Sequence, residues 1–356
     1  MEYKKLGDIA TYINGYPFKP EDRGECGLPI IRIQDLTGNT YDLGYYDGKY
    51  PERIEINNGD ILISWSASLG VYVWNRGKAL LNQHIFKVVF DKVEINKRYF
   101  VYAVQFKLKE MEAKTHGATM KHIVKKDFDS TLIPYPSLKE QSRIAEIIDS
   151  IAKSINMRQK QLQKLDELVK ARFVELFGAY PHNPMGWKTG TIRDVVTDVR
   201  YGSSRPAVDG GKYPYLRMNN ITYGGELDLS DVKRIDVPEN ELEKCTVRRG
   251  DVLFNRTNSK ELVGKTCVYD RDEMMVLAGF VIRVRVNDVV LPEFLSAFLN
   301  TDFSKRTLLG MCKAAIGQAN INAQEMQNIG IYIPPIELQR EFVQFKNQTD
   351  KSKLSL

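Results

Sequence analysis

The stretch Leu28-Pro29-Ile30-Ile31-Arg32-Ile33-Gln34-Asp35-Leu36-Thr37 returns later in the chain as Tyr213-Pro214-Tyr215-Leu216-Arg217-Met218-Asn219-Asn220-Ile221-Thr222. Two further blocks repeat in the same order: residues 58–63 match 249–254, and residues 121–128 match 319–326. The offsets are 185, 191 and 198 residues, so the copies differ by small loop insertions. The chain therefore holds two copies of one domain, and we expect the same kind of contact twice, on two different targets.

The composition is that of a globular protein with two domains. A chain of 356 residues with 43% apolar residues can bury two real cores. Its 51 basic and 45 acidic residues give a net charge of +6 and a pI near 8.9, a mild lean toward polyanionic partners. Scattered cysteines, no signal peptide and no apolar run that could span a bilayer predict a cytoplasmic protein without a membrane partner.

Each copy reads as a twisted sheet followed by a helix. An amphipathic element (residues 6–13 and 192–199) precedes a polar loop rich in Gly and Pro. Short β-branched runs between turn residues then predict strands at 30–33, 60–64, 70–74, 251–254 and 281–286. Residues 99–112 and 292–309 have helical periodicity, so each copy is expected to be of the α+β class.

The segment between the copies differs from both. Residues 138–177 contain no Gly or Pro and carry apolar residues at alternating spacings of four and three. This pattern predicts a coiled-coil helix roughly 60 Å long, which acts as a spacer and needs a partner helix. The apolar seam is Ile144, Ile148, Ile151, Ile155, Leu162, Leu165, Val169 and Leu176.

The second copy starts the same helix but diverges. Pro334-Pro335-Ile336-Glu337-Leu338-Gln339 matches Pro136-Ser137-Leu138-Lys139-Glu140-Gln141, and Phe342 takes the seam position of Ile144. The next seam positions become Lys346, Thr349 and Lys353, and the sequence ends at Leu356. We expect a shortened distal helix that covers only the first half of the seam. The predicted organisation is a first domain (1–136), a spacer helix (137–178), a second domain (179–334) and the distal helix (335–356).

No catalytic constellation accompanies this architecture. Val263-Gly264-Lys265-Thr266 resembles the end of a phosphate-binding loop, but Ser259 stands where the first glycine is required. The four histidines are too far apart to predict a metal site. We therefore expect a binding protein with no catalytic residue, metal or cofactor of its own.

The binding chemistry suits DNA. Arg32 and Gln34, like Arg217 and Asn219, are expected at alternate strand positions on one face; Arg pairs with guanine, and Gln or Asn with adenine. A structural ion pair within each domain is the alternative for the two arginines, and a solvated loop is the alternative for the loop residues. Candidate DNA contacts are Tyr16, Lys19, Arg32, Gln34, Ser66, Lys121, His122, Lys125, Tyr201, Ser203, Arg205, Arg217, Asn219, Arg256, Asn258, Lys260 and Asn320.

Several of these stretches resemble the specificity subunit of type I restriction–modification systems over essentially the whole chain. The resemblance is carried by residues 249–258 with 262–265, by 136–145 and 333–339, and by 177–178 with 183–187. It implies two target-recognition domains held apart by two long antiparallel helices, each domain reading half of a split, asymmetric sequence in double-stranded DNA. Half-sites read from one side of the duplex are expected about 34 Å apart.

The resemblance also implies partners. The helices would dock two DNA-adenine methyltransferase subunits, and that core would recruit restriction and translocase subunits. S-adenosylmethionine, ATP and Mg would belong to those partners. A full-length distal helix or an N-terminal helical lead is usual in the family, so a truncated variant impaired in assembly is an alternative. A scaffold whose two domains bind proteins is a further alternative, and so is a nuclease or methyltransferase acting alone.

Overall fold

The computed structural model describes residues 2–38, 43–114, 123–312 and 319–356. The chain forms two compact units, Met1–Asn156 and Met157–Leu356, and one helix continues from the first into the second. No helix in the described ranges is long and apolar enough to cross a membrane.

The described residues of the first unit form ten short strands and four helices before the long one. They are β1 (Tyr3–Lys5), α1 (Leu6–Ile9), β2 (Thr11–Asn14), β3 (Leu28–Ile31), α2 (Ile33–Leu36), β4 (Tyr45–Tyr46), β5 (Glu55–Ile56), β6 (Ile61–Ser64), β7 (Gly70–Val73), β8 (Ala79–Leu81), β9 (Ile85–Val89), α3 (Lys97–Lys114), α4 (Lys125–Ser130), β10 (Leu132–Pro134) and α5 (Leu138–Phe177). Short 3-10 turns cover Pro20–Asp22 and Glu52–Ile54.

Two four-stranded sheets form the body of the first unit, in the orders β2-β9-β6-β7 and β4-β3-β8-β5, and β1 pairs with β10. The β3–β8 pairing is parallel and the others are antiparallel. Fully buried Phe100 and Val104 of α3 join Phe86 of β9 and Phe128 of α4 in one core. The helix that follows the strands in sequence thus closes one face of a sheet.

The second unit follows α5 with a similar order of elements and several additions. They are β11 (Lys188–Thr191), β12 (Val196–Tyr201), β13 (Tyr213–Leu216), β14 (Lys233–Ile235), α6 (Glu239–Cys245), β15 (Thr246–Val247), β16 (Val252–Asn255), β17 (Thr257–Asn258), β18 (Thr266–Val268), β19 (Met275–Leu277), β20 (Val281–Val286), α7 (Pro292–Leu299), α8 (Asp302–Met311), β21 (Ala319–Asn320), α9 (Ala323–Gln327), β22 (Gly330–Ile333) and α10 (Ile336–Leu354). The 3-10 turns here are Ile192–Val195 and Met218–Asn220.

The sheets of the second unit have the orders β12-β20-β16-β18 and β14-β13-β19-β15, and β11 pairs with β22. These three sheets repeat the arrangement of the first unit, including a parallel β13–β19 pair where the first has β3–β8, and the second unit adds a two-stranded β17–β21 sheet. The two-domain α+β class, the long helix and the shorter C-terminal helix are therefore confirmed. The helix expected at 292–309 is divided in two, because the Thr301 hydroxyl accepts a hydrogen bond from Ser304 N (3.3 Å) and caps a new helix.

The repeated Gly-Asp pair is structural in both units. Gly59 (φ 92°) and Gly250 (φ 89°) adopt the left-handed conformation that glycine tolerates best. The following carboxylates close the turns: Asp60 Oδ2 accepts from Asn57 N at 2.8 Å, and Asp251 Oδ2 accepts from Arg248 N at 2.9 Å. Asp251 also pairs with Arg285, Nε to Oδ1 at 2.8 Å. These residues match between the copies because the turn requires them.

The 40-residue helix α5 runs over the predicted 138–177, since nothing within it interrupts helical hydrogen bonding. Its seam is not uniformly covered. Ile144, Ile148 and Leu165 are half-buried, Val169 and Leu176 pack against the second core, and Ile151 and Ile155 are each 54% exposed, with Leu162 at 36%. The middle of the seam is therefore its most exposed part.

The C-terminal helix α10 covers the last part of this seam, so the expectation that it covers the first half is wrong. Buried Phe342 lies against Phe173 (ring centroids 5.3 Å apart), and Glu341 Oε1 contacts Arg172 Nη2 at 2.5 Å. Lys353 Nζ lies 2.6 Å from an Asp166 carboxylate oxygen, so the two helices run antiparallel. The reason is strand pairing. Strand β11 follows the end of α5 and pairs with β22, so α10, which follows β22, starts beside the C-terminal end of α5.

Candidate nucleic-acid interface

In the first unit, a polar loop crosses the end of strand β8 at very close range. Tyr16 N donates to Leu81 O (2.8 Å), and Gln83 N donates to Tyr16 O (2.9 Å). A side chain on Gly15 would place its Cβ 2.0 Å from Asn82 O, so only glycine allows this approach. The loop that carries Tyr16 is thereby fixed to the sheet.

The second unit repeats this crossing at the end of β19. Ser203 N donates to Leu277 O (2.6 Å), and Gly279 N donates to Ser203 O (2.7 Å). A Cβ on Gly202 would lie 2.1 Å from Leu277 O. The predicted binding loops of both copies therefore start from the same rigid backbone frame, although their side chains differ.

A second duplicated feature holds the residue just after β6 or β16, which we call the node position. In the first unit, Trp65 N donates to His84 O (3.3 Å) and Trp65 O accepts from Ile123 N (3.0 Å). In the second, Arg256 N donates to Phe280 O (3.0 Å) and Arg256 O accepts from Ile321 N (2.9 Å). Three segments distant in sequence thus meet at one backbone position in each domain.

The two node positions carry very different side chains. The Trp65 ring stacks on Phe86 (centroids 5.5 Å apart, planes at 21°) and meets His84 edge-on at 4.9 Å. His84 has φ 73°, an uncommon conformation for a residue other than glycine. In the second unit the Arg256 guanidinium lies over the Tyr201 ring, 4.8 Å from its centroid. The same backbone position therefore presents an aromatic surface in the first domain and a cation in the second.

Tyr201 is itself held in place. Its hydroxyl accepts a hydrogen bond from Ala323 N at 2.9 Å, while its side chain stays 44% exposed. Directly after Arg256 in the chain, β17 pairs with β21, which sets Thr257 opposite the exposed Asn320. The structure thus brings together Tyr201, Ser203, Arg256, Asn258 and Asn320, five of the predicted contacts, around one node.

The expectation that Arg32 and Gln34 share a strand face is wrong. Strand β3 ends at Ile31, and Arg32 is the N-cap of α2, so Gln34 lies on a helical turn. The cause is Asp35, 1% exposed, whose Oδ2 accepts from Arg32 N (2.8 Å) and Arg32 Nε (3.2 Å). A carboxylate three residues after the N-cap stabilises the start of a helix. The chain therefore turns into α2 at Arg32 and does not continue strand β3.

Arg217 and Asn219 depart from the strand in the same way. Strand β13 ends at Leu216, and the side chain of Asn220 accepts from Arg217 N at 2.8 Å. The Arg217 guanidinium contacts Asp231 (2.9 Å), and Asn219 is exposed. The structural ion pair weighed for these arginines is therefore present in both copies.

The remaining candidates are distributed over loops and the start of α4. Arg205 forms two contacts with Glu241 (2.7 and 3.2 Å), a pairing that holds the pKa of the Glu241 carboxyl below its usual range. Lys125 pairs with Asp129 at 2.7 Å, and Lys19 lies 3.9 Å from Glu21. Ser66 is half-buried, Lys260 is exposed, and Tyr16 stacks edge-on against Phe18. Lys121 and His122 lie outside the described residues.

His84 and Phe280 were missed by the sequence reasoning although they complete the nodes. Phe280 is 53% exposed beside Arg256. The sequence gives no signal for them, because Asn82-Gln83-His84 and Ala278-Gly279-Phe280 share no residue, and their equivalence appears only in the main-chain hydrogen bonds of the nodes. Among the described residues no group of three or more His, Cys, Asp or Glu could hold a metal ion.

A family model for the type I restriction modification DNA specificity domain matches residues 1–167 and 184–356. The chain is 25% identical over 370 residues to the type I restriction enzyme EcoBI specificity subunit of Escherichia coli, covering 95% of this chain and 77% of that protein. It is 26% identical over 368 residues to the MjaVIII specificity subunit of Methanocaldococcus jannaschii, covering 95% and 83%.

Two solved structures share the fold. One is the S subunit of a type I restriction–modification system from M. genitalium, with a TM-score of 0.54 and 13% identity over 99% of this chain and 90% of that chain. The other comes from a study of complex assembly and conformational transition in the type I R-M system, with a TM-score of 0.60 and 15% identity over 99% and 91%.

Proposed function

This chain belongs to the family of type I restriction modification DNA specificity domains, and from that premise we propose how it reads DNA. It is the sequence-recognition subunit of a type I restriction–modification complex and has no catalytic activity of its own. Each domain reads one half of a split, asymmetric target in double-stranded DNA. Methylation and cleavage are carried out by the methyltransferase and restriction subunits that assemble with it.

One observation carries this proposal: the two domains hold the same backbone frame and present unlike side chains from it. The crossing loops and the node position are fixed by equivalent main-chain hydrogen bonds in both units. At the node, Trp65 in one domain corresponds to Arg256 in the other. A protein that reads two different half-sites needs this combination. The contacts that position each domain on the phosphates can be the same in both domains, whereas the contacts that read the bases must differ.

We propose that the DNA contacts come from the loops and nodes. In the second domain they are Tyr201, Arg256, Asn258 and Asn320, and in the first they include Tyr16, Lys19 and Ser66. The paired arginines and Lys125 would meet phosphates or would only support the loops. Bases are read by Arg, Asn and Gln forks and by aromatic contacts, and phosphates by Lys and Arg.

The helices serve assembly in this proposal. In the middle of α5, Ile151, Ile155 and Met157 are each more than half exposed, and such an apolar stripe on a long helix calls for a partner. We propose two methyltransferase subunits as the occupants, with domain boundaries at 136, 178 and 334. S-adenosylmethionine, ATP and Mg would be bound by the partner subunits, and the complex would act in the cytoplasm.

The test is binding selection with the reconstituted complex. The chain, purified with its methyltransferase subunit, is incubated with a random duplex library, and the bound DNA is sequenced. We expect an enriched motif in two parts separated by unspecified bases, and no methylation or cutting by the chain alone. Enrichment of a single continuous motif, or of no motif, would overturn the proposal and favour a protein-binding scaffold.

A further inference from the structure

Arg256 differs from the other arginines predicted to contact DNA. Arg32, Arg205 and Arg217 each have a carboxylate partner, namely Asp35, Glu241 and Asp231. Within the described part of the chain, no ion pair is found for Arg256, whose guanidinium instead lies over the Tyr201 ring. Its charge is therefore not neutralised by a carboxylate and its buried Nε has no hydrogen-bond partner among these residues, whereas the other three arginines are already engaged.

The position of Arg256 is unusually well defined for a long side chain. Both backbone groups are bonded, N to Phe280 O (3.0 Å) and O to Ile321 N (2.9 Å). The ring beneath the guanidinium is fixed in turn by the Tyr201 hydroxyl, which accepts from Ala323 N at 2.9 Å. A stacked guanidinium loses less conformational entropy on binding, because its plane is oriented before the ligand arrives.

The surroundings suit a nucleobase edge. Phe280, 53% exposed, supplies an apolar surface next to the backbone of Arg256, and the amides of Asn258 and Asn320 lie on the neighbouring β17–β21 pair. A planar, oriented guanidinium beside exposed aromatic and amide groups matches the chemistry of base readout. A phosphate can also accept a bidentate contact from a guanidinium, so it is the neighbouring aromatic and amide groups that favour a base.

We propose that Arg256, positioned by Tyr201, reads a guanine in the half-site bound by the second domain through a bidentate contact with N7 and O6. This inference rests on the proposed function and specifies it to one residue and one base. The first domain has Trp65 at the same node, stacked on Phe86, so its half-site is read without this contact.

The test compares variants in the library selection, each purified in complex with the methyltransferase subunit. Arg256→Ala and Arg256→Lys both remove the fork, and the lysine keeps the charge. At one guanine position of one half-site we expect preference to fall about 10- to 100-fold, with all other positions unchanged. Tyr201→Leu, which removes the ring, should weaken the same position more than Tyr201→Phe. Arg249→Ala, which breaks the exposed pair with Asp272, is the matched control and should leave the motif intact.

The outcomes separate this inference from the proposed function. If the wild-type complex selects no two-part motif, the proposed function fails. If the wild type selects one and both Arg256 variants select it unchanged, Arg256 does not read a base, and the proposed function stands. Uniformly weaker binding with an unchanged motif would assign Arg256 to a phosphate and would also overturn the inference. Should the alanine variant not assemble, the lysine variant decides.

Discussion

A buried glutamine fixes the start of each spacer helix to the domain that precedes it through hydrogen bonds. Its replacement should lower the free energy of unfolding of that domain. Gln339, fully buried at the start of α10, accepts from Leu291 N (2.8 Å) and donates to Val289 O (3.0 Å) and Pro334 O (2.8 Å). Gln141 does the same at the start of α5, with Asn96 N and Pro136 O. The glutamine of the repeated Pro-x-x-x-x-Gln pattern is thus a structural joint in both copies.

The substitution Gln339→Leu keeps the volume and removes three hydrogen bonds. It leaves the Leu291 N–H without its acceptor, and a buried donor in that state costs about 1–3 kcal/mol. Partial loss at the two carbonyls brings the expected destabilisation of the second unit to about 2–4 kcal/mol, a large share of the stability of a typical domain.

Hydrogen exchange measured by mass spectrometry should detect this change at residues 285–300. A cost of 2 kcal/mol corresponds to roughly 30-fold faster exchange of that segment. Gln344→Leu, on the exposed side of the same helix, is the control and should change stability by less than about 0.5 kcal/mol. If Gln339→Leu exchanged at the wild-type rate, the joint would not carry the energy assigned to it.

Three further predictions concern stability. Gly202→Ala would place a methyl 2.1 Å from Leu277 O and should lower the free energy of unfolding, measured in urea, by about 3 kcal/mol. Gly310→Ala, with open space around it, should not lower it, and equal effects would refute the crossing geometry. Burial lowers the pKa of Lys305 from 10.5 to about 8, so its charge opposes folding below pH 8, and this cost disappears as pH rises to 10.5. The melting temperature of Lys305→Met should therefore exceed that of the wild type most at pH 7 and least at pH 10, and a constant difference would contradict this. Asp251→Ala removes the partner of Arg285 and should lower the free energy of unfolding by about 3 kcal/mol in chemical denaturation. Asp272→Ala, at an 85% exposed position, should lower it by under about 0.5 kcal/mol, and similar losses would refute the structural role of Asp251.

Local features of this fold could be predicted from the sequence. The bounds of α5 follow from an uninterrupted heptad pattern, and the two-domain organisation follows from the repeat. The strand assignment of Arg32 failed because Asp35 caps a helix three residues later. That signal was also local, since an acid at this spacing is typical of a helix start.

Non-local features could not be predicted in the same way. The part of the α5 seam that α10 covers depends on the pairing of β11 with β22, which lie about 140 residues apart in sequence. The nodes are built from main-chain atoms of three distant segments, and main-chain hydrogen bonds leave little trace in residue identity. The contact of Arg256 with Tyr201 arises only once those segments have met.

The central claim is that matched residues form a common frame while unmatched residues encode two half-sites. The most direct measurement is the genome-wide pattern of adenine methylation in cells that express this chain with its methyltransferase subunit, compared with cells that lack this chain. We expect methylation at one asymmetric motif in two parts, and only when this chain is present. Methylation at a continuous motif, or the same pattern without the chain, would contradict it.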